Sequence, residues 1–82
     1  DALRAAEQLD QAAALLDERG LPLERAHSQL RAAAAHAACG HLPDAVARLR
    51  DAARGAEHLG ARPLAEAVAG ELRRLGQPLA GA

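Results

Sequence analysis

Gly40-His-Leu-Pro43 has a pattern that this chain uses at four places, because a proline follows a glycine by two or three residues each time. The other three are Gly20-Leu-Pro22, Gly60-Ala-Arg-Pro63 and Gly76-Gln-Pro78. Glycine just beyond a helix end adopts the left-handed conformation that caps the helix. Proline fits the first turn of the next helix, where its missing N–H loses no hydrogen bond. The pattern therefore predicts four helices joined by very short turns.

Apolar residues recur at intervals of three and four between these turns, which is helical spacing. We predict helices over Asp1–Arg19 and Pro22–Cys39, then from Pro43 to the turn at Gly60, and from Pro63 to Arg74. Turns this short make consecutive helices antiparallel neighbours. The predicted fold class is all-α.

The composition limits both the core and the partners. The chain has 82 residues and no aromatic residue, methionine or isoleucine, so its core must be leucine and valine packed between alanine faces. The net charge is −1 without the basic stripe of a nucleic-acid binder, so we expect no direct nucleic-acid contact. No secretory segment or apolar run of about 20 residues is present, which predicts a cytoplasmic protein with no membrane partner. A single cysteine, Cys39, fits a reducing compartment.

A shift of about 40 residues aligns the first half of the chain with the second. The aligned residues include Leu9 with Leu49, Gly20 with Gly60 and, after one extra residue, Pro22 with Pro63. Two units of two helices each predict a slice of an α-solenoid, in which every unit packs against its neighbours.

Two stretches resemble known repeats. The run Leu23-Glu-Arg-Ala26, followed by Gly40-His-Leu-Pro-Asp-Ala45 with Leu49 and Ala52, resembles a tetratricopeptide-like (TPR-like) repeat. The closing residues, Leu59-Gly-Ala-Arg-Pro-Leu-Ala-Glu-Ala67 through Gly70-Glu-Leu-Arg-Arg-Leu-Gly76, are similar to the last repeat of the large ATP-binding LuxR-type transcriptional regulators of GC-rich bacteria.

The resemblance covers about residues 20 to 76 and implies an organisation. In that family a nucleotide-binding domain comes first, a long helical-repeat region follows, and a DNA-binding helix-turn-helix lies last. Residues 1–76 would then be a TPR-like four-helix segment for protein–protein contact, and residues 77–82 a frayed tail. The repeat period is near 40 rather than 34, and the chain has no lysine and hence no phosphate loop. The alternative is a stand-alone helical oligomerisation or docking bundle unrelated to transcription.

The one cluster with metal-ligand chemistry is His36, Cys39 and His41. A zinc site needs four ligands, or three and a water molecule. A further ligand would have to come from His58 or Asp44 through tertiary contact. We therefore expect no metal site and no cofactor, and interpret the cluster as a polar helix end with a small buried thiol.

The sequence offers no catalytic constellation. Ser28 follows His27 inside a predicted helix, whereas a serine nucleophile requires a strained turn beside an oxyanion hole. We expect no catalytic residue and no enzymatic activity. The charged residues are interpreted as solvated faces: Glu7, Asp10, Asp17 and Glu18 on helix one, and Arg48, Arg50 and Arg54 among Asp44 and Asp51 on helix three. Gly70 is interpreted as a point of close helix approach.

Self-association is the last prediction from the sequence. A solenoid slice leaves an apolar face uncovered at each end, and the leucines of helix one span an arc too wide for one neighbour. A two-fold dimer is the commonest closed assembly. We expect a homodimer of the isolated chain through helix one or helix four. The predicted interface residues are Leu3, Leu9, Leu16, Leu64, Val68 and Leu72.

Overall fold

The computed structural model describes residues 1–78, which form four α-helices and no β-strand. Helix α1 spans Ala2–Glu18, α2 spans Pro22–Ala38, α3 spans Leu42–Leu59 and α4 spans Arg62–Arg74. The prediction of an all-α chain is confirmed, and the predicted ends lie within about one residue of those observed. Among these helices, none has the length and apolar character required to cross a membrane.

The turns that follow the helices α1 to α4 share one backbone geometry. At the α2–α3 turn, Gly40 has a φ of +78° and donates its N–H to the Ala37 carbonyl. The N–H of His41 donates to the His36 carbonyl at 2.9 Å. This pair of bonds is the Schellman motif, which satisfies the last carbonyls of a helix. The other three turns repeat it, with the second bond running from Leu21 to Leu16, from Ala61 to Ala56 and from Gln77 to Leu72.

Helix α3 lies at the centre of the core. Its residues Ala45, Leu49, Ala52 and Ala56 are completely buried. They pack with α2 and α4 in one cluster that includes Ala26, Ala33, Leu64, Val68 and Leu72. Each helix packs against the next one in the chain. Leucine and valine between alanine surfaces therefore form the core.

Gly70 does not mark a close approach of two helices. A Cβ atom built there would meet Arg73 Nη2 at 3.8 Å, an ordinary contact with the end of a flexible side chain. The interpretation from the sequence was wrong at this position. Gly55 lies nearer to another helix, because a Cβ atom there would lie 3.9 Å from the Cβ atom of Ala26.

The predicted tail begins inside the described part of the chain and continues beyond it. Gln77 completes the last Schellman motif, and the Pro78 carbonyl accepts a hydrogen bond from Arg50 at 3.3 Å. Residues 79–82 lie outside the described residues, so the prediction of a frayed tail over 77–82 stays a prediction.

Candidate functional site

Polar side chains from three helices meet beside the end of α2. Asp10 of α1 accepts two hydrogen bonds from Arg48 of α3, at 3.1 Å from Nε to Oδ1 and at 2.9 Å from Nη2 to Oδ2. His36 of α2 completes the group, with its Nε2 2.9 Å from Asp10 Oδ2. Paired, bidentate hydrogen bonds of this kind hold both partners in a defined orientation. Asp10 therefore joins α1 to both other helices.

A second polar group joins α2 to α3 nearer the start of α2. Asp51 accepts hydrogen bonds from Arg25 at 2.7 Å and from Gln29 at 2.6 Å. The guanidinium of Arg25 also lies 3.6 Å from the carboxylate of Asp17 on α1. The charges of this second group thus pair with one another and link α1, α2 and α3.

The structure corrects the interpretation of Asp10 and Arg48 as members of solvated faces. The side chains of Asp10 and Arg48 are only 29% and 31% exposed and bind each other. Arg48 also has a looser contact within α3, since its Nη1 lies 3.7 Å from Oδ1 of Asp44, four residues earlier.

The Asp10 group predicts a loss of stability in acid. Burial by itself raises the pKa of Asp10, but hydrogen bonds from Arg48 and His36, together with their charges, lower the pKa below its ordinary value. A carboxylate with a depressed folded-state pKa stabilises the fold above the unfolded pKa of about 3.9, and that contribution disappears as the pH falls through the folded-state pKa. We expect the free energy of unfolding to decrease below about pH 4. Urea unfolding as a function of pH should show a shallower decrease for Asp10→Asn; equal slopes for both proteins would contradict this.

The structure brings together a different trio from the His36, Cys39 and His41 cluster that the sequence pattern offered and that was expected to hold no metal. One ring nitrogen of His36, one of His41 and a carboxylate oxygen of Asp44 lie within 4.8 Å of one another. His36 is buried, whereas His41 and Asp44 are exposed. Cys39 is a partly exposed free thiol outside this trio.

From the sequence, Asp44 was considered only as a further ligand that tertiary contact would have to supply, although a local signal for it existed. The Schellman motif places the residue after the glycine against the third residue before the helix cap, which brings His41 to His36. Asp44 then follows in the first turn of α3. No comparable signal links Asp10 to His36 and Arg48, because these residues lie 26 and 38 positions away.

The predicted interface residues divide between surface and core. Leu3 is 45% exposed, and Leu9 and Leu16 are half-buried. The three on α4 are buried at 4%, 0% and 2% exposure against α3: Leu64, Val68 and Leu72. In this chain the α1 residues are accessible to a partner, and the α4 residues are occupied by the core.

Leu9, Ala12 and Leu16 line an open groove of about 440 Å³ between α1 and α2, here called the α1–α2 groove. The α2 side is formed by Glu24, His27, Ser28 and Arg31. The hydroxyl of Ser28 donates to the Leu9 carbonyl at 3.0 Å, which ties the two helices together beneath the groove. The surface thus has an apolar floor on α1 and a polar edge on α2.

Comparison of the chain with protein-family models, with curated proteins and with solved structures finds no match.

Proposed function

We propose that this chain is a protein-interaction segment that self-associates through the α1–α2 groove, acting by binding rather than catalysis. The supporting observation is an apolar helix surface that is covered on α3, in the second repeat unit, and open on α1, in the first. Under the 40-residue shift, the groove residues of α1 correspond to residues of α3 that are 0% exposed. The pairs are Leu9 with Leu49, Ala12 with Ala52 and Leu16 with Ala56. The half-buried members on α1 lack an equivalent cover.

A second copy of the chain is the proposed occupant, because the polar edge of the groove is self-complementary. Glu24 and Arg31 lie seven residues apart on α2, which is about 10.5 Å along the helix axis. In a two-fold dimer with antiparallel α2 helices, Glu24 faces Arg31 of the partner subunit, and the same pair forms again across the axis. His27 lies near that axis. The leucines of both α1 helices supply the apolar area.

The biological setting that we propose is the helical-repeat part of a LuxR-type regulator in the bacterial cytoplasm. The resemblance over about residues 20 to 76, the 40-residue repeat and the shared turn geometry support two TPR-like hairpins, α1–α2 and α3–α4. In such a protein the groove would receive a second regulator or a neighbouring repeat. A stand-alone docking bundle is the alternative. A helix-turn-helix encoded after Ala82 and a phosphate loop far upstream would favour the regulator.

Sedimentation equilibrium at micromolar concentration tests the dimer. We expect a dimer for the natural chain, and a dissociation constant about tenfold to a hundredfold higher for Leu9→Glu or Leu16→Glu, because either change places a charge in the apolar floor of the groove. Leu15→Glu is the matched control, since Leu15 is 52% exposed on the same helix but does not line the groove. Circular dichroism verifies that each variant is helical.

A charge exchange tests the proposed orientation of the two chains. Glu24→Arg alone brings two arginines together at each end of the interface and should weaken the dimer. The double variant Glu24→Arg with Arg31→Glu restores opposite charges at each end of the interface and should restore the affinity of the dimer. A monomeric natural chain would refute the self-association. A dimer insensitive to the groove variants would refute the groove as its interface.

A further inference from the structure

We propose that this chain binds a divalent transition-metal ion, Zn²⁺ by preference, at the α2–α3 turn through His36, His41 and Asp44. We call these three residues the turn site. Their candidate ligand atoms lie within 4.8 Å of one another. The site is separate from the α1–α2 groove and goes beyond the proposed self-association. It also reverses the expectation from the sequence that the chain holds no metal.

The backbone of the turn explains why these side chains meet. Three turns between helices share the Schellman geometry, and each places a residue of the last helical turn beside the residue after the glycine. The third residue of the next helix lies three positions after the residue that follows the glycine. These positions hold Leu16, Leu21 and Glu24 in the first turn, His36, His41 and Asp44 in the second, and Ala56, Ala61 and Leu64 in the third. Only the middle set consists entirely of metal-ligating side chains.

His36 makes the second contact that is typical of a metal-ligating histidine. Metal-binding histidines almost always donate their second ring N–H to a carboxylate or a carbonyl, which fixes the tautomer and the ring orientation. The Nε2 of His36 lies 2.9 Å from Asp10 Oδ2, and Arg48 holds that carboxylate with two further hydrogen bonds. In the neutral imidazole, donation to this carboxylate requires the proton on Nε2 and leaves the lone pair on Nδ1.

The Nδ1 atom of His36 is an unusual buried group. The residue is 6% exposed, and within the described chain Nδ1 has no hydrogen-bond partner. Buried polar atoms nearly always have such a partner, so an atom without one requires an explanation. A metal ion bound at Nδ1 would be the missing partner of this atom.

His41 and Asp44 can complete the coordination because both side chains are exposed. Ligand atoms at about 2.0–2.2 Å from a tetrahedral zinc ion lie about 3.3 Å apart. The ligand atoms of His41 and Asp44 must therefore move closer to the other ligand atoms by up to about 1.5 Å. The nearest cation to Asp44 is Arg48 Nη1 at 3.7 Å, which is too long for a hydrogen bond that would hold the carboxylate away. Three protein ligands leave the fourth position to water.

The charges and donor atoms around the turn site fit a divalent cation. Asp10 and Asp44 contribute two negative charges against the single positive charge of Arg48. Two imidazole nitrogens and one carboxylate oxygen form a donor set that suits zinc. A bound ion would join the end of α2 to the start of α3 and, through Asp10, would also restrain α1.

Isothermal titration of the full chain with zinc sulfate at neutral pH tests the turn site. We expect one ion per chain, and at least about tenfold weaker binding for His41→Ala and for Asp44→Asn. His27→Ala and His58→Ala are the matched controls, because both remove a histidine outside the turn site and should leave the affinity unchanged. Zinc in excess over the dissociation constant should raise the Tm by about 5 °C or more in the natural chain.

Cobalt substitution reports the donor atoms. Tetrahedral Co²⁺ should give visible d–d bands without a thiolate-to-metal charge-transfer band, since Cys39 is not a ligand in the turn site. The proposal is overturned by any of these results: no saturable zinc binding, an unchanged affinity in His41→Ala, loss of binding in Cys39→Ser, or one ion for every two chains. Sedimentation equilibrium in the presence of a chelator measures self-association without bound metal. A failure of the turn site can therefore be distinguished from a failure of the dimer.

Discussion

Leu49→Ala is expected to lower the free energy of unfolding by about 2–5 kcal/mol. Leu49 is completely buried in the middle of α3 and is among the three largest fully buried side chains of the described chain. Its core cluster includes Ala26, Ala33 and Ala52, which have no alternative rotamers that could fill the cavity. A domain of this size is stable by only about 4–12 kcal/mol, so the substitution removes a large part of the total.

Urea unfolding followed by circular dichroism at a fixed protein concentration measures this loss. Leu15→Ala removes the same atoms from a side chain that is 52% exposed, and we expect it to change the stability by no more than about 0.5 kcal/mol. Similar losses for the two variants would show that α3 is not the centre of the core.

Gly40→Val is expected to be the next most damaging change, at about 1–3 kcal/mol. Gly40 has a φ of +78°, a conformation that a β-branched residue adopts only with strain. A Cβ atom at this position would meet nothing within 4 Å, so the expected loss comes from the backbone and not from a clash.

A pair of substitutions isolates the backbone contribution at this turn. Ala38→Val places valine two residues earlier in a helical conformation, where the expected loss is about 0.6 kcal/mol. Gly40→Asn should be milder than Gly40→Val, because asparagine tolerates the left-handed region better. Thermal unfolding that ranks Ala38→Val as equal to Gly40→Val would contradict the explanation.

The helices and turns of this chain were predictable because the forces that produce them act between near neighbours. The left-handed glycine and the Schellman hydrogen bonds involve residues at most five positions apart. Proline in the first turn acts through its own backbone, at Pro22, Pro43 and Pro63. These local signals placed the helix ends within about one residue.

The polar groups were not predictable in the same way. Asp10 stands among exposed acidic residues on α1, and nothing in its own neighbourhood distinguishes it from Glu7. His36 reaches it only when α2 packs against α1, and Arg48 reaches it only when α3 packs against α2. The turn site lies between these cases, because the Schellman motif brings His36 and His41 together locally, whereas the Asp10 contact orients His36 from another helix.

Local patterning thus accounts for the four helices, their short connections and the apolar stripe on each one. It cannot assign a stripe to the core or to the surface, because that depends on which other helix covers it. Leu9 and Leu49 stand at equivalent repeat positions, yet only Leu49 is completely buried. Val68 was predicted at an interface and lies in the core, because α3 and α4 close on each other. Burial and ion pairing are relations between helices distant in sequence, so they emerge only when the helices pack.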